Sequence, residues 1–557
     1  MRPDPRTAIF FHPDQVEGTG KDLVGRRSAG ESFLKGYLRH VQSPDIRAVT
    51  ETLEGAKALE ARVRELGDPR PVRASFLRGG GDITDTGCIF FPTPGYSSAT
   101  WLRQRLNPAS CSLVGITHTV STRRIIESLH TLLSEPVEPW DAIICTSRAV
   151  RSVVARQFEL EAEYLRQRFG ATRTPQPRLP VIPLGIAAAE FAPVPGARER
   201  IRAAQGVAEG DLVVMTMGRL SVVEKANPWP LFVAIEAVAK HVKRPIHLWI
   251  CGWASRPEEE KLHIEAAAAI CKSLTVKMID GREPDVRRNI WAGADIFTLP
   301  SDSIQETFGL VPVEAMAAGL PVVMPDWDGF RDTVRHGETG FLVPTRMAAA
   351  GTGKPLARRF ADGTDGYMQY LTLVQGQVQI DVPAYATALL RLIEDADLRA
   401  RMGRAGQDHV KAHLDWSAVI PQYLDLARDL EERRAGAVPT TPTLASGPVS
   451  PLEVDPFDLY ADYPTATLSA DTLIEIGNAA SAELLQAFDR FSGRDLYQRR
   501  LFPQELALRV ANAIRDARPT TAARLSAQLQ VPLATILSVV LYLAKADIVR
   551  LPRIEPR

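Results

Sequence analysis

The chain has little cysteine, no net charge and no long apolar run, and each shortage excludes something. Among its 557 residues there are five cysteines, Cys88, Cys111, Cys145, Cys251 and Cys271, and none forms a C-x-x-C pair. That spacing argues against a structural zinc site and a disulfide framework, and for reduced thiols in a cytoplasmic setting. Sixty-six basic residues balance sixty-six acidic ones, so no global field gathers nucleic acid or anionic lipid, and any anion site has to be local. No segment reaches the roughly 18 apolar residues of a spanning helix, and the apolar run before His12 and Pro13 is too short for the core of a secretory signal. The expected location is the cytoplasm, with membrane contact only at the inner surface.

What is present is a repeated α/β pattern, in a chain too long for one hydrophobic core. Short apolar runs at Ala8 to Phe11, Ile89 to Phe91, Leu113 to Thr117, Ala142 to Cys145 and Val181 to Ile182 are separated by helix-length segments. A second series follows at Leu212 to Met217, His247 to Cys251, Val276 to Ile279, Ile296 to Leu299, Val322 to Met324 and Phe341 to Val343. Two doubly wound, Rossmann-like domains facing across a cleft account for this, at 1–195 and 196–432, with ligands expected between them. A Pro-, Thr-, Ser- and Gly-rich linker over 433–468 leads to a small, mainly helical module at 469–557. Helices are expected over Ala470 to Phe491 and Gln504 to Arg515, then helix, turn, helix and short strand, a winged-helix-like order. The would-be recognition helix, Leu533 to Ala546, has Lys545 as its only basic residue, which disfavours nucleic acid and favours packing against a protein partner or a second copy.

The stretch SDSIQETFGLVPVEAMAAGLPVV, from Ser301, carries Glu306 just before an expected helix and Glu314 inside it. Pro312 suits a first helical turn and Gly319 a stop. The free N–H groups around Phe308, Gly309 and Leu310 would then head the helix and offer an anion site. A carboxylate accepts bonds from adjacent hydroxyls, so two of them suit the two ends of an extended ligand bearing diols and a diphosphate. The plainer reading, that Glu306 caps the helix and Glu314 lies on a solvated face, stands equally on spacing alone.

Beyond spacing, ETFGLVPVEAMAAGLPVV resembles the E-x7-E signature of retaining glycosyltransferases of the GT-B fold, the large family-four group that resembles glycogen synthase. MGRLSVVEKAN, SDSIQETFG, DWDGFRDTVRHGETGFLVPT, VIPLGI and WDAIICTSRAV resemble further family segments, in register over most of residues 1–430. The resemblance implies a nucleotide-sugar donor on the second domain. Arg219 and Lys225 would neutralise its diphosphate, the helix start at Phe308, Gly309 and Leu310 would cradle it, Glu314 would take the ribose and Glu306 the transferred sugar. Arg282 would lie in the base-binding loop. LVGITHTVST nominates His118 as the histidine facing the donor sugar, although a lone histidine after a strand is more often structural. GKDLVGRR has P-loop-like glycine spacing, but Arg26 and Arg27 replace Lys and Ser/Thr, so an NTPase is excluded; Gly25 and Arg26 remain candidates for diphosphate or acceptor contact.

No D-x-D-type metal cluster stands in a suitable loop, so neither metal nor cofactor is expected. The function expected is retaining transfer of a sugar to a glycan, lipid-linked or small-molecule acceptor. The alternative is a non-catalytic nucleotide-sugar-binding or scaffold protein acting through its C-terminal module.

Overall fold

The computed structural model describes residues 3–13, 25–79, 81–441, 448–451, 453–477, 481–491, 501–517 and 519–553. The chain forms two compact units, Met1–Thr443 and Leu444–Arg557.

Within the first unit, β1 (Thr7–Phe10), β2 (Ile46–Thr50), β3 (Val72–Phe76), β4 (Cys88–Phe91), β5 (Ser112–Ile116) and β6 (Ala142–Ile144) make one sheet in the order β3-β2-β1-β4-β5-β6. A second follows: β7 (Leu212–Arg219), β8 (Ile246–Trp253), β9 (Thr275–Asp280), β10 (Ile296–Thr298), β11 (Val322–Pro325) and β12 (Gly340–Val343), ordered β12-β11-β10-β7-β8-β9. All the pairings are parallel. Counted from its own first strand, each sheet therefore has the same doubly wound order, with helical connections. Helices on both faces explain why CIFF of β4 and SLVGI of β5 are buried throughout instead of alternating. The expected run Val181–Ile182 makes only an isolated bridge to Cys145 at the sheet edge, because two residues before Pro183 cannot extend a ladder.

The two domains are joined twice. Ile186 donates its N–H to the Leu414 carbonyl and its carbonyl accepts from Trp416. From there the helix Trp416–Arg434 runs back onto the first domain: Tyr423 meets Phe33 and Phe90, and Arg434 bonds the Gly87 carbonyl and Ser112 Oγ. Sequence order puts this helix in the second domain, but its apolar face is complementary to the helix Gly25–His40. Trp416 is the key to that contact. A Cβ at Gly36 or at Gly185 would sit 2.5 Å from its ring, and its indole N–H bonds Ser32 Oγ at 2.8 Å. Only glycine admits the ring at both places.

The tract Ala348 to Asp381 follows β13 (Thr345–Met347), which pairs antiparallel with β14 (Val378–Ile380), and the helices Lys354–Ala361 and Tyr367–Gln375 lie between the two strands. The unit Leu444–Arg557 has a three-stranded antiparallel sheet, β15 (Leu473–Ile476) flanked by β16 (Thr520–Thr521) and β17 (Val549–Arg550). The expected helix from Ala470 is thus replaced at its start by a strand, and the helix begins at Ala482. Its reason is pairing: LIEI finds partners on both sides, which outweigh local propensity. Helices Gln504–Asp516, Ala522–Leu529 and Leu533–Lys545 close over the sheet around Ile474, Val510, Ile514, Val539 and Leu543. Among the described residues no single helix is long and apolar enough to cross a membrane.

Trp416→Ala opens a cavity between the two glycines and removes the indole bond. Chemical denaturation is expected to show a loss of about 3–5 kcal/mol of stability.

Candidate functional site

In a doubly wound sheet, ligands lie outside the carboxyl ends of the strands where the order reverses. In the second domain that point falls between β7 and β10, and the segments leaving these two strands bring the charged groups together. β7 ends at Arg219 and leads into the turn Ser221–Ala226; after β10 comes the loop to the helix Leu310–Ala317. Ser301 Oγ bonds the Lys225 carbonyl at 2.6 Å, tying the two segments to each other.

Glu306 occupies this junction. Its side chain is 12% exposed and accepts from Lys225 Nζ at 3.2 Å. Burial pushes its carboxyl up, but Lys225 and the N–H groups of Thr307 and Phe308 more than offset that and hold it below the usual glutamate value. It is therefore an anion at neutral pH, answered by one cation and two backbone N–H groups. The Phe308 amide, expected to face a bound anion, is directed at Glu306 instead, and the helix, which starts at Leu310 with Gly309 as its cap, carries no side-chain cap bond. Gly309 precedes the helix with φ +84°, and a Cβ there would meet the Phe330 ring at 2.2 Å. Only glycine turns the chain so sharply into Leu310.

The other expected residues are placed as follows. Arg219 is paired with Glu224 at 3.1 Å, both sides being mostly buried. Glu314 is half-buried in the second turn of the helix. His118, also half-buried, follows β5 of the first domain, and its carbonyl accepts from Thr307 Oγ1 at 3.1 Å, so the histidine loop and the Glu306 loop are in direct contact across the domains. Arg282 stands beyond β9, exposed and bonded to Asp280, apart from this cluster. Gly25 and Arg26 open the helix Gly25–His40; the Arg26 side chain and the preceding loop lie outside the described residues.

Three groups were not foreseen. Asp302 is buried, bonded to Gln375 Nε2 at 2.6 Å, and burial pushes its carboxyl up to about 6. Tyr367 reaches Gln305 Oε1 at 3.2 Å and Ser121 Oγ, in the first domain, at 2.8 Å. Gln375 and Tyr367 both come from the tract 348–381, where nothing in the sequence pointed to the cleft. The third is Asp328, which bonds Ser147 of the first domain at 3.2 Å. Here the sequence does spell D-x-D, at Asp326-Trp327-Asp328, in the loop after β11. The two carboxylates part company, however, Asp326 going to Arg331 and Asp328 to Ser147. Among the described residues no group of three or more His, Cys, Asp or Glu is arranged to hold a metal ion.

Comparisons with known proteins bear on the same region. Residues 211–354, which hold Arg219, Lys225, Glu306, Glu314 and Asp328, match the family Glycosyl transferases group 1. A D-inositol 3-phosphate glycosyltransferase of Rhodococcus erythropolis is 30% identical over 238 residues, covering 41% of this chain and 51% of that protein. One from Corynebacterium urealyticum is 27% identical over 320 residues, 56% and 65% of the two chains. This chain thus spans about half to two thirds of the length of these relatives. Among solved structures, Anabaena HepE in complex with UDP and glucose covers 76% of this chain and 100% of its own, at TM-score 0.46 and 16% identity. Sucrose-phosphate synthase from Thermosynechococcus elongatus covers 76% and 99%, at TM-score 0.44 and 18% identity.

Lys225→Met leaves the Glu306 carboxylate buried without its cation. Denaturation at neutral pH is expected to show a loss of about 2 kcal/mol, and Lys225→Met with Glu306→Gln to recover much of it, because the cost lies in the unanswered charge. Glu306 is depressed in the folded state, so the stability it contributes is present above the unfolded glutamate value and is lost as pH falls below it; Lys225→Met is expected to weaken that acid dependence.

Proposed function

We propose that the chain is a retaining, metal-independent glycosyltransferase of the GT-B, family-four type, moving a sugar from a nucleotide-sugar donor to a glycan, glycoconjugate or metabolite. The observation that carries this reading is the Lys225–Glu306 pair at the reversal of the second sheet, met from the first domain by the His118 loop. The match of residues 211–354 to the glycosyl transferases group 1 family supports it. So do relatives named as D-inositol 3-phosphate glycosyltransferases.

In this reading the donor diphosphate lies over the helix start at Gly309 and Leu310 and draws on Lys225 and Arg219. Charge grows on the leaving diphosphate as the sugar centre becomes cationic, and fixed cations and helix dipoles stabilise it without reorganising. Glu306 accepts hydroxyl bonds from the sugar and answers the developing positive charge; it positions and does not attack. Glu314 takes the ribose hydroxyls and His118 faces the sugar. Departure and attack on the same face retain the anomeric configuration. Lys225 and Arg219 are each engaged by a carboxylate, Glu306 and Glu224, and the diphosphate shares both. The C-terminal unit, winged-helix-like in its order of elements, serves packing or dimerisation.

Calorimetric titration with UDP, GDP and ADP and their common sugar conjugates, without added metal, tests the reading. Saturable binding of one nucleotide is expected, weakened about tenfold or more in Lys225→Ala for the loss of a charge-assisted contact. Glu306→Gln is expected to keep nucleotide binding and lose transfer. Absence of binding to every nucleotide sinks the proposal.

A further inference from the structure

Asp328 is one of three described non-glycine residues with positive φ, at +42°. An L-residue is strained there and glycine is not, so the aspartate has to be explained by its side chain. Its neighbour Gly329 lies so close to the Glu306 loop that a Cβ would fall 2.4 Å from the Phe308 Cα and 2.6 Å from the Thr307 carbonyl oxygen. This contact sets Asp328 beside Glu306. On its other side Asp328 accepts from Ser147 Oγ at 3.2 Å. Ser147 is the cap of the helix Arg148–Phe169 in the first domain and itself accepts from Val150 N–H. One turn further along, Asp332 takes the Arg148 N–H at 2.6 Å and the Arg148 guanidinium at 2.5 Å. Two acidic side chains of the second domain thus grip the positive end of a 22-residue helix of the first.

We propose that Asp328 is a positioning residue that latches the first domain over Glu306, holding the helix Arg148–Phe169 by Ser147 while its own carboxyl stands against the Glu306–Lys225 pair. Burial first, then the Glu306 charge, push the Asp328 carboxyl up to about 8, with Asp332 adding to the push and the Ser147 and Gly329 bonds opposing it. At neutral pH the carboxyl keeps its proton. It then faces Glu306, with its Lys225, and Asp332, with its Arg148, as a neutral group. Burial in the latched cleft is the largest cause of that shift and parting the domains would return the carboxyl to water, so the latched form holds the proton more tightly and, as pH rises through about 8, ionisation favours the open form. The latch needs no ligand, so it stands or falls separately from the glycosyltransferase reading.

Spin labels at Glu65→Cys in the first domain and Lys261→Cys in the second report the separation, since both side chains are exposed and the five native cysteines are buried. The inter-label distance is measured without ligand at ~pH 6.5 and ~pH 9.5, either side of the titration. The latch requires one short distance at the lower pH and a shift to longer, broader distances at the higher. Asp328→Gly, which relieves the backbone but removes the carboxyl, is expected to give the long distances at both values. Asp328→Asn, which keeps an acceptor for Ser147 and cannot ionise, is expected to restore the short distance at both. An unchanged distance in Asp328→Gly, or a pH response that survives in Asp328→Asn, overturns the proposal.

Discussion

Everything in the larger unit depends on how the Trp416 ring is seated. Two parallel sheets that each bury both faces are self-sufficient, and nothing in either dictates where the other should stand. The chain supplies that information where it returns to the first domain, by pushing one large ring between two glycines that are far apart in sequence, Gly36 and Gly185. A ring packed against backbone on two sides has little room to tilt. Because Ile186 is hydrogen-bonded on both its N–H and carbonyl to the strand of chain leading into Trp416, the outgoing and returning connections move as one. The helix Trp416–Arg434 then follows the first sheet to Arg434, whose bonds to Gly87 and Ser112 close the seam and leave the join at Ile186 and Leu414 as the pivot.

That seam brings the carboxyl ends of the sheets to each other, and the cleft chemistry follows from it. Thr307 can reach the His118 carbonyl, Tyr367 can reach Ser121, and Asp328 can reach Ser147 only if the domains stand at this separation. The consequence is electrostatic. Three carboxyls, Asp302, Glu306 and Asp328, share a region poor in water with Lys225, and they do not share its charge equally. Glu306, beside the cation and the Thr307 and Phe308 N–H groups, is held ionised; burial pushes Asp302 and Asp328 up from the usual aspartate value. Burial raises both aspartates, and the Glu306 charge adds to the push on Asp328 alone. At neutral pH Glu306 is then an anion and Asp328 a hydrogen-bonding acid, while Asp302, raised only to about 6, titrates just below neutrality.

Much of this was legible in the sequence, and the legible part has a common character. Strands such as CIFF and SLVGI announce themselves because burial on both faces needs continuous apolar residues, and Glu306 and Lys225 were found because a motif fixes their spacing. What was missed depends on contacts between distant segments. Asp328 sits in Asp-Gly, which reads as an ordinary surface turn; nothing local says that Gly329 is pressed onto Phe308 or that Ser147 lies opposite. Tyr367 and Gln375 belong to a tract with no pattern of its own. The helix Trp416–Arg434 is plainly amphipathic in sequence, but its partner is chosen by shape, and the strand Leu473–Ile476 was hidden because its pairing residues, Thr520 and Val549, come 44 and more positions later.

In the smaller unit the order of elements does not by itself assign a use, and the side chains say more. Helix Leu533–Lys545 follows a helix and a turn as a DNA-reading helix would. Yet Ile536, Val539, Val540 and Leu543 are spent on the core, while Leu533 and Leu541 remain on the surface at 37% and 50% exposure. A helix that reads a groove needs cations toward the phosphates and polar tips toward base edges, and Lys545 at the far end supplies one charge. Exposed leucines on such a helix gain from meeting another apolar face and nothing from meeting a phosphate backbone. What such a helix can meet is set by the side chains it has left over once its core is filled.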